Sequence, residues 1–252
     1  MSQPAKNQEP RTKNPQLRSS MLFSVLGSRF SVFNFQFSVL QILVHIACLI
    51  PFALLIWDGL HNHLTANPIQ EITFRTGKTA LSLLVLSLLC TPANFVLGIK
   101  QALPLRRPLG LYAFFYVCLH LFIFAVLDYG LDWQLIQQAI VEKRYVLVGF
   151  TAFLLLLPLA ITSTKGWQRR MGKRWKRLHT LVYLAAPLVV IHFIWLVKSD
   201  IREPLLYGAA VAALLLLRVP PIRRAITKLR YRLTGRDRVA KSAAPTPTPA
   251  AE

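Results

Sequence analysis

WKRLHTLVYLAAPLVVIHFIW, residues 175–195, is the stretch from which the rest of the chain is best interpreted. Its apolar part is long enough to cross a bilayer as a helix, which takes about 20 residues. It carries His179 near one end and His192 in the other half, and the helical rise places the two imidazoles roughly 20 Å apart along the axis. Ionisable side chains inside a membrane segment mark functional sites by default, so this helix is predicted to hold a cofactor.

The composition indicates a membrane protein. The chain has 252 residues, is 54% hydrophobic and has a mean hydropathy of +0.44, which is too apolar for an ordinary soluble domain. The net charge of +20 sits in the tails and in alternate loops, a topology pattern that argues against nucleic acid as a partner. The three cysteines lie in separate apolar segments without a CxxC pair, so neither a disulfide framework nor a zinc site is indicated.

Hydropathy predicts an all-α, polytopic membrane protein, a bundle of six transmembrane helices. The predicted spans are residues 39–57, 79–97, 109–127, 145–162, 178–197 and 204–217. Because cations collect in both tails, in loop 2–3 and in loop 4–5, both termini are predicted to be cytoplasmic. Residues 38–219 form the predicted transmembrane domain. Residues 1–37 are expected to be a largely disordered tail, and residues 220–252 a basic, Pro/Ala-rich tail.

Two intramembrane histidines fall at compatible depths on different helices. His120 lies about midway along the third span, and His192 lies in the outer half of the fifth. Haem iron takes two axial ligands, and a flat macrocycle between two helices needs only one from each. His120 and His192 are therefore the first predicted ligand pair, although a single histidine in a membrane helix also serves simply to bond a neighbouring helix.

A second haem near the inner face is the related hypothesis. His179 is its candidate ligand, and His45, Arg106 or Arg107 is the candidate partner or propionate anchor. One geometric objection applies, since thirteen helical residues leave His179 and His192 about 140° apart around a straight helix. A kink at Pro187 resolves it, and so do two haems bound against different neighbours.

The chain has no Gly-rich dinucleotide fingerprint, so oxidation of NAD(P)H is expected on a partner. The basic loop between spans four and five suits lipid phosphates, and also a soluble reductase or a flavin phosphate. Two alternatives stay open: a ferric or quinone reductase acting directly on a small acceptor, and a non-haem transporter or assembly factor. A transporter would more often show inverted repeats, and no convincing repeat is apparent in the sequence.

Four segments of the chain resemble one known family. They are HIACLIPF (45–52), RTGKTALSLLVLSLLCTP (75–92), RRPLGLYAFFYVCLH (106–120) and TSTKGWQRRMGKRWKRLHTLVYLAAPLVVIHFIW (162–195). They are similar to the MsrQ (YedZ) family, the haem-binding membrane subunits of the bacterial protein-methionine-sulfoxide reductase system, within the ferric-reductase-like transmembrane superfamily. The similarity covers about residues 38–230. The segment TPANFVLGIKQALP departs from it, where the family is usually more basic.

The resemblance implies a b-type cytochrome of the bacterial inner membrane, with one or two haems b and possible FMN. It implies an electron-transfer subunit that receives electrons from a cytoplasmic NAD(P)H flavin reductase or the quinone pool. The acceptor would be a periplasmic molybdopterin-containing subunit that reduces methionine sulfoxide and so repairs proteins. The family's haem ligands map onto His120, His179 and His192, and an arginine pair that assists one haem maps onto Arg106 and Arg107. No motif fixes an FMN site.

Overall fold

The computed structural model describes residues 39–197 and 200–233 of the chain. The predicted N-terminal tail and the part of the predicted C-terminal tail after residue 233 lie outside the described residues. The chain divides into two compact units, Met1–Leu43 and Val44–Glu252. Of the first unit only residues 39–43 are described, and they begin the first helix.

The described residues are helices joined by short loops, without a strand, as the sequence predicts. The helices are α1 (Val39–Leu60), α2 (Pro68–Leu97), α3 (Ala102–Phe122), α4 (Trp133–Glu142), α5 (Arg144–Ile161), α6 (Lys165–Met171), α7 (Lys173–Leu178), α8 (Val182–Leu196), α9 (Arg202–Leu216) and α10 (Pro220–Leu233). A π-helical turn, Ile123–Asp128, extends α3, and a 3₁₀ turn, His179–Leu181, joins α7 to α8.

Five segments are long and apolar enough to cross a membrane: α1, α2, α3 with its π-helical extension, α5, and the continuous segment Lys173–Leu196. The sixth predicted span is α9, which has only 15 residues. It turns by 77° into α10, and the two helices together count as a bent span. The described chain therefore has five or six spans, in agreement with the predicted six-helix bundle.

Helix α2 begins at Pro68, well before the predicted start at residue 79. Asn67 caps it, because its side chain accepts the N–H of Gln70, and proline at the first helical position has no N–H to leave unpaired. The charged residues of this extension do not interrupt the helix because they pair. Arg75 contacts Glu71 at 2.7 Å and also binds Asp58 at the end of α1.

Two segments predicted as loops are partly helical. Residues 133–142 form α4, whose first N–H groups are capped by the Asp132 carboxylate. The basic loop folds into α6 and α7, which meet at Gly172, where φ is +51°. Helix α8 continues through Pro187, so the irregular turn between the two histidines lies at His179 rather than at the proline.

Two helical hairpins form the frame of the bundle. Helix α2 packs along α3, α5 packs along α8, and α9 lies against α8 and α2. Small side chains allow the helices to approach closely, and the alanines at positions 80, 113, 152, 185 and 186 are all buried. The end of the bundle that carries residues 98–101, α6 and α7 is called the basic end, and the other the opposite end.

A partly buried arginine completes the hydrogen bonding of α2. Pro92 lies inside this helix and has no N–H, so the Leu88 carbonyl has no helical partner. Arg218, in the turn after α9, donates from Nη2 to that carbonyl and from Nη1 to the Tyr183 hydroxyl at 2.7 Å. One guanidinium thereby ties the end of α9 to α2 and α8.

Candidate functional site

The structure brings His120 and His192 together. Their ring centres are 6.2 Å apart, and the ring planes are nearly perpendicular, at 89°. His120 lies on α3 just before the π-helical turn, and His192 lies near the end of α8. Each comes from a different hairpin, so the two imidazoles face one another across the interior of the bundle.

Both rings are oriented by the same kind of hydrogen bond. His120 Nδ1 lies 3.0 Å from the carbonyl oxygen of Thr73 on α2, and His192 Nδ1 lies 2.7 Å from that of Tyr145 on α5. A carbonyl oxygen only accepts, so Nδ1 carries the proton in both rings. In each neutral imidazole Nε2 then keeps its lone pair. Histidines that ligate a metal show the same arrangement, in which one ring nitrogen donates to a carbonyl or carboxylate and the other binds the metal.

The ring separation fits two axial ligands of one iron. A metal–imidazole nitrogen bond is about 2 Å and a ring nitrogen lies about 1 Å from its ring centre, so rings on opposite sides of one metal have centres about 6 Å apart. A bare metal ion generally requires three or four protein ligands. Among residues 39–197 and 200–233, no group of three or more His, Cys, Asp or Glu residues could hold one. A macrocycle that supplies the remaining ligands suits a site with two histidines.

The two histidines line a cavity of about 570 Å³, within the usual size range of cofactor pockets. Its wall is mostly apolar and aromatic, with five phenylalanines at positions 74, 124, 150, 153 and 193. Lys78 and Lys143 also line it, and among the described residues Lys78 pairs with Glu203. Lys143 donates to the Tyr129 hydroxyl at 2.7 Å, and this bond raises the pKa of the Lys143 ammonium.

His179 lies in a separate environment toward the basic end. Its Nε2 is 3.2 Å from Thr162 Oγ1, and its ring lies against Trp175 with centres 4.0 Å apart. Trp175 in turn donates its indole N–H to the Thr162 carbonyl at 2.9 Å. The 3₁₀ turn that begins at His179 gives it neighbours different from those of His192, as the angular offset predicted.

The remaining predicted site residues are dispersed. Arg106 lies close enough to His179 for its charge to act on the imidazole, and its carbonyl accepts the Ser87 hydroxyl at 2.8 Å. Arg107 is exposed. His45 is exposed on α1 and hydrogen-bonded to the Tyr112 hydroxyl at 3.0 Å, and no described hydrogen bond or ring contact joins it to His179.

The hairpins repeat one another in sequence register, which the sequence analysis missed. Adding 72 to a residue number converts Thr73 to Tyr145 and His120 to His192, and both Nδ1 bonds span 47 residues. Buried alanines correspond in the same way, Ala80 with 152 and Ala113 with 185. The two copies run in the same direction through the membrane, unlike the inverted repeats expected of a transporter. Comparison of the chain with itself at a fixed offset would have revealed the repeat, although not the carbonyl partners.

Comparison with known proteins places the chain in a family. The ferric reductase like transmembrane component family matches residues 76–190, from within α2 to two residues before His192. The protein-methionine-sulfoxide reductase heme-binding subunit MsrQ of Xanthomonas euvesicatoria pv. vesicatoria is 49% identical over 183 residues, which cover 70% of this chain and 84% of that protein. MsrQ of Xanthomonas campestris pv. campestris (strain 8004) is 46% identical over 81% of this chain and 92% of its own length.

The chain belongs to the MsrQ family. MsrQ of Caulobacter vibrioides is 44% identical over 74% of this chain and 89% of its own length. The resemblance drawn from the sequence is thereby confirmed, and this MsrQ family member is a multi-pass protein of the bacterial inner membrane. No solved structure matches the chain.

Proposed function

We propose that the protein binds a b-type haem between His120 and His192 and serves as the membrane electron-transfer subunit of a methionine-sulfoxide reductase system. The observation that carries the proposal is the facing pair of imidazoles, 6.2 Å apart, in an apolar cavity. The names of the MsrQ relatives, which describe heme-binding subunits of a protein-methionine-sulfoxide reductase, support it.

The chain's own residues fix the ligand state. The carbonyls of Thr73 and Tyr145 hold each Nδ1 proton, so both Nε2 lone pairs stay available toward the cavity. The apolar lining excludes water and lowers the local dielectric, which tunes the potential of a bound redox group. Lys78 and Lys143 on the cavity wall supply positive charge suited to carboxylate side groups. A bound haem supplies one-electron redox chemistry there, and the helices supply position and environment.

We extend the proposal to a second cofactor site at the basic end, around His179. The proximity of Arg106 to His179 supports an anionic group there, either a propionate of a second haem or the phosphate of FMN. Arg107 is exposed at the same end and is assigned to the approach of an anionic donor. His45 is not needed by this arrangement, because it lies on the exposed flank of α1 against Tyr112.

The orientation follows from charge. Lys165, Arg169, Arg170, Lys173, Arg174, Lys176 and Arg177 cluster in α6 and α7, and the positive-inside rule assigns this end to the cytoplasm. The same cations suit anionic lipid headgroups. Electrons would then enter at the cytoplasmic face from a flavin reductase or quinone. They would leave at the periplasmic face, near His120 and His192, to a molybdopterin-containing subunit.

The haem proposal is tested by the reduced-minus-oxidised spectrum of the purified protein. We expect a b-type signal in the wild type, loss in His192→Ala of the part that belongs to the haem between His120 and His192, and full retention in His45→Ala, a matched change of an exposed histidine. A wild-type protein without the signal contradicts the proposal, as does a His192→Ala variant that keeps the full wild-type signal.

Electron delivery is tested separately in proteoliposomes. The protein is reconstituted with a quinol on one side and a periplasmic molybdenum-dependent methionine-sulfoxide reductase subunit on the other. Reduction of methionine sulfoxide is expected with the wild type and not with His192→Ala. Equal rates with and without the membrane protein would contradict the assignment of this partner.

A further inference from the structure

We infer that Gly77 and Gly149 are positioning residues that set the direction and relative orientation of the His120 and His192 imidazoles. The inference rests on the proposed haem site and adds to it two residues that do not touch the iron. It is carried by the space around each ring, by the shared carbonyl bond and by the repetition of both features in the two hairpins.

Each imidazole lies directly over a glycine of the partner helix. A Cβ atom built on Gly77 would lie 3.2 Å from both Nδ1 and Cε1 of His120. A Cβ atom on Gly149 would lie 2.6 Å from Nδ1 and 2.8 Å from Cε1 of His192. Favourable contacts between heavy atoms are at about 3.5–4.0 Å, so each ring occupies the volume that any other side chain would fill.

The hydrogen bond explains why the rings come so close. Gly77 follows Thr73 by four residues, and Gly149 follows Tyr145 by four. In an α-helix the N–H of residue i+4 already donates to the carbonyl of residue i. The imidazole must therefore reach a carbonyl that is partly covered by residue i+4, and it reaches that carbonyl without obstruction when residue i+4 has no side chain.

Helix propensity argues that these glycines are present for this contact. A glycine inside a helix costs about 1 kcal/mol relative to alanine, so a replacement without steric consequence should stabilise the protein. Gly77 and Gly149 lie in the interior of α2 and α5, where no cap or turn requires glycine. The two glycines have the same sequence spacing to a carbonyl and to a histidine, which indicates that both hairpins use the same structural arrangement.

This arrangement of glycine, carbonyl and histidine accounts for the relative orientation of the two imidazoles. Each hairpin holds the Nδ1–Cε1 edge of its ring against glycine and hydrogen-bonds Nδ1 to a carbonyl, so ring rotation is restricted. The two constraints come from equivalent positions of a tandem repeat. The planes of the two rings stand at 89° to each other. Ferric haem with two perpendicular axial imidazoles gives a highly anisotropic low-spin electron paramagnetic resonance signal, which reports this orientation directly.

Alanine at either position is expected to push the ring away from its carbonyl. The effect should be larger for Gly149→Ala, where the contact would be 2.6 Å, than for Gly77→Ala at 3.2 Å. Disturbing an outer partner of a metal ligand typically lowers affinity by about 10- to 100-fold, and we expect haem affinity to fall within that range. The anisotropic signal should shift or disappear in the haem that remains.

The matched control is Gly208→Ala. A Cβ atom there would lie 3.2 Å from Val190 Cγ1, the same distance as at Gly77, but against an aliphatic side chain rather than a ligand. The full-length wild type and the three variants are purified in detergent, and folding is checked by thermal unfolding and gel filtration. Haem is then titrated into each, and the oxidised proteins are examined by electron paramagnetic resonance.

We expect reduced haem affinity and an altered signal in Gly77→Ala and Gly149→Ala, and an unchanged signal in Gly208→Ala. Wild-type affinity and an unaltered signal in both ring-facing variants would overturn the inference while leaving the haem proposal intact. A wild type that binds no haem would overturn the haem proposal itself. If Gly149→Ala does not accumulate as folded protein, the signal of Gly77→Ala decides the question.

Discussion

Replacing Arg218 by methionine removes the hydrogen-bond donor that compensates for a proline inside a transmembrane helix. The Leu88 carbonyl cannot accept a backbone N–H at position 92, because that residue is proline, and Arg218 Nη2 donates to it instead. Leu88 is buried, with 1% of its surface exposed, so water does not take over this bond in the variant. The substitution should therefore leave a buried carbonyl unpaired.

Two kinds of measurement set limits on the loss of stability expected for Arg218→Met. A buried polar group left without a partner costs about 1–3 kcal/mol in water-soluble proteins. Hydrogen bonds between helices in membranes contribute about 0.6 kcal/mol on average and at most about 1.7 kcal/mol. They contribute so little because the same polar groups also find hydrogen-bond partners in the unfolded state within the membrane. Since Pro92 denies the carbonyl its helical donor, we expect a loss of about 1–2 kcal/mol in the free energy of unfolding, at the upper end for a membrane protein.

A double-mutant cycle with Pro92→Ala isolates this effect. Alanine at 92 restores an N–H for the Leu88 carbonyl, so Arg218→Met should cost about 1 kcal/mol less in that background than in the wild type. The assay is reversible unfolding in mixed micelles titrated with SDS, and Arg224→Met on the exposed face of α10 is the control. Equal costs of Arg218→Met in the two backgrounds would refute the compensation of the proline by the arginine.

Further substitutions test other parts of the fold in the same assay. Tyr116→Phe removes a buried hydroxyl that donates to the Cys48 carbonyl at 2.8 Å and should cost about 1 kcal/mol; no loss would contradict the importance of this bond. Gly98→Ala forces a side chain at φ +82° and should cost about 1–2 kcal/mol, whereas a neutral effect would contradict the left-handed cap. Because the bond to Tyr129 raises the pKa of Lys143, the stability advantage of the wild type over Lys143→Met should be complete below the ordinary lysine pKa and lost as the pH rises through the raised pKa. An advantage that grows with pH would contradict that sign.

Much of the fold could be predicted because the membrane imposes strong rules. Apolar runs of sufficient length identify the spans, and α5 differs from its predicted limits by only one residue at each end. The predicted start of α2 is late because Glu71 and Arg75 interrupt the apolar run, whereas in the structure Arg75 pairs with both Glu71 and Asp58 and the helix continues. Helix α4 was missed because it is amphipathic and short, and its cap by Asp132 is a local signal that hydropathy does not weigh.

The candidate site was only partly accessible to the sequence. The sequence identifies His120 and His192 as a candidate pair, because their imidazoles lie at similar depths in the membrane on different spans. Their orienting partners are backbone carbonyls, which have no residue-type signature, so the structure is needed to identify them. Helical hydrogen bonding continues through Pro187, and the irregular turn between His179 and His192 lies at His179, where the sequence carries no proline or glycine to mark it.

The central claim is that one haem is shared by His120 and His192, and haem stoichiometry in single and double variants tests it most directly. Haem per protein is measured for His120→Ala, His192→Ala and the double variant, purified under identical conditions. Because both ligands serve one iron, each single variant should lose the same haem, and the double variant should lose no more than either single one. Retention of the full wild-type haem content in either single variant, or losses that add in the double variant, would contradict the shared site.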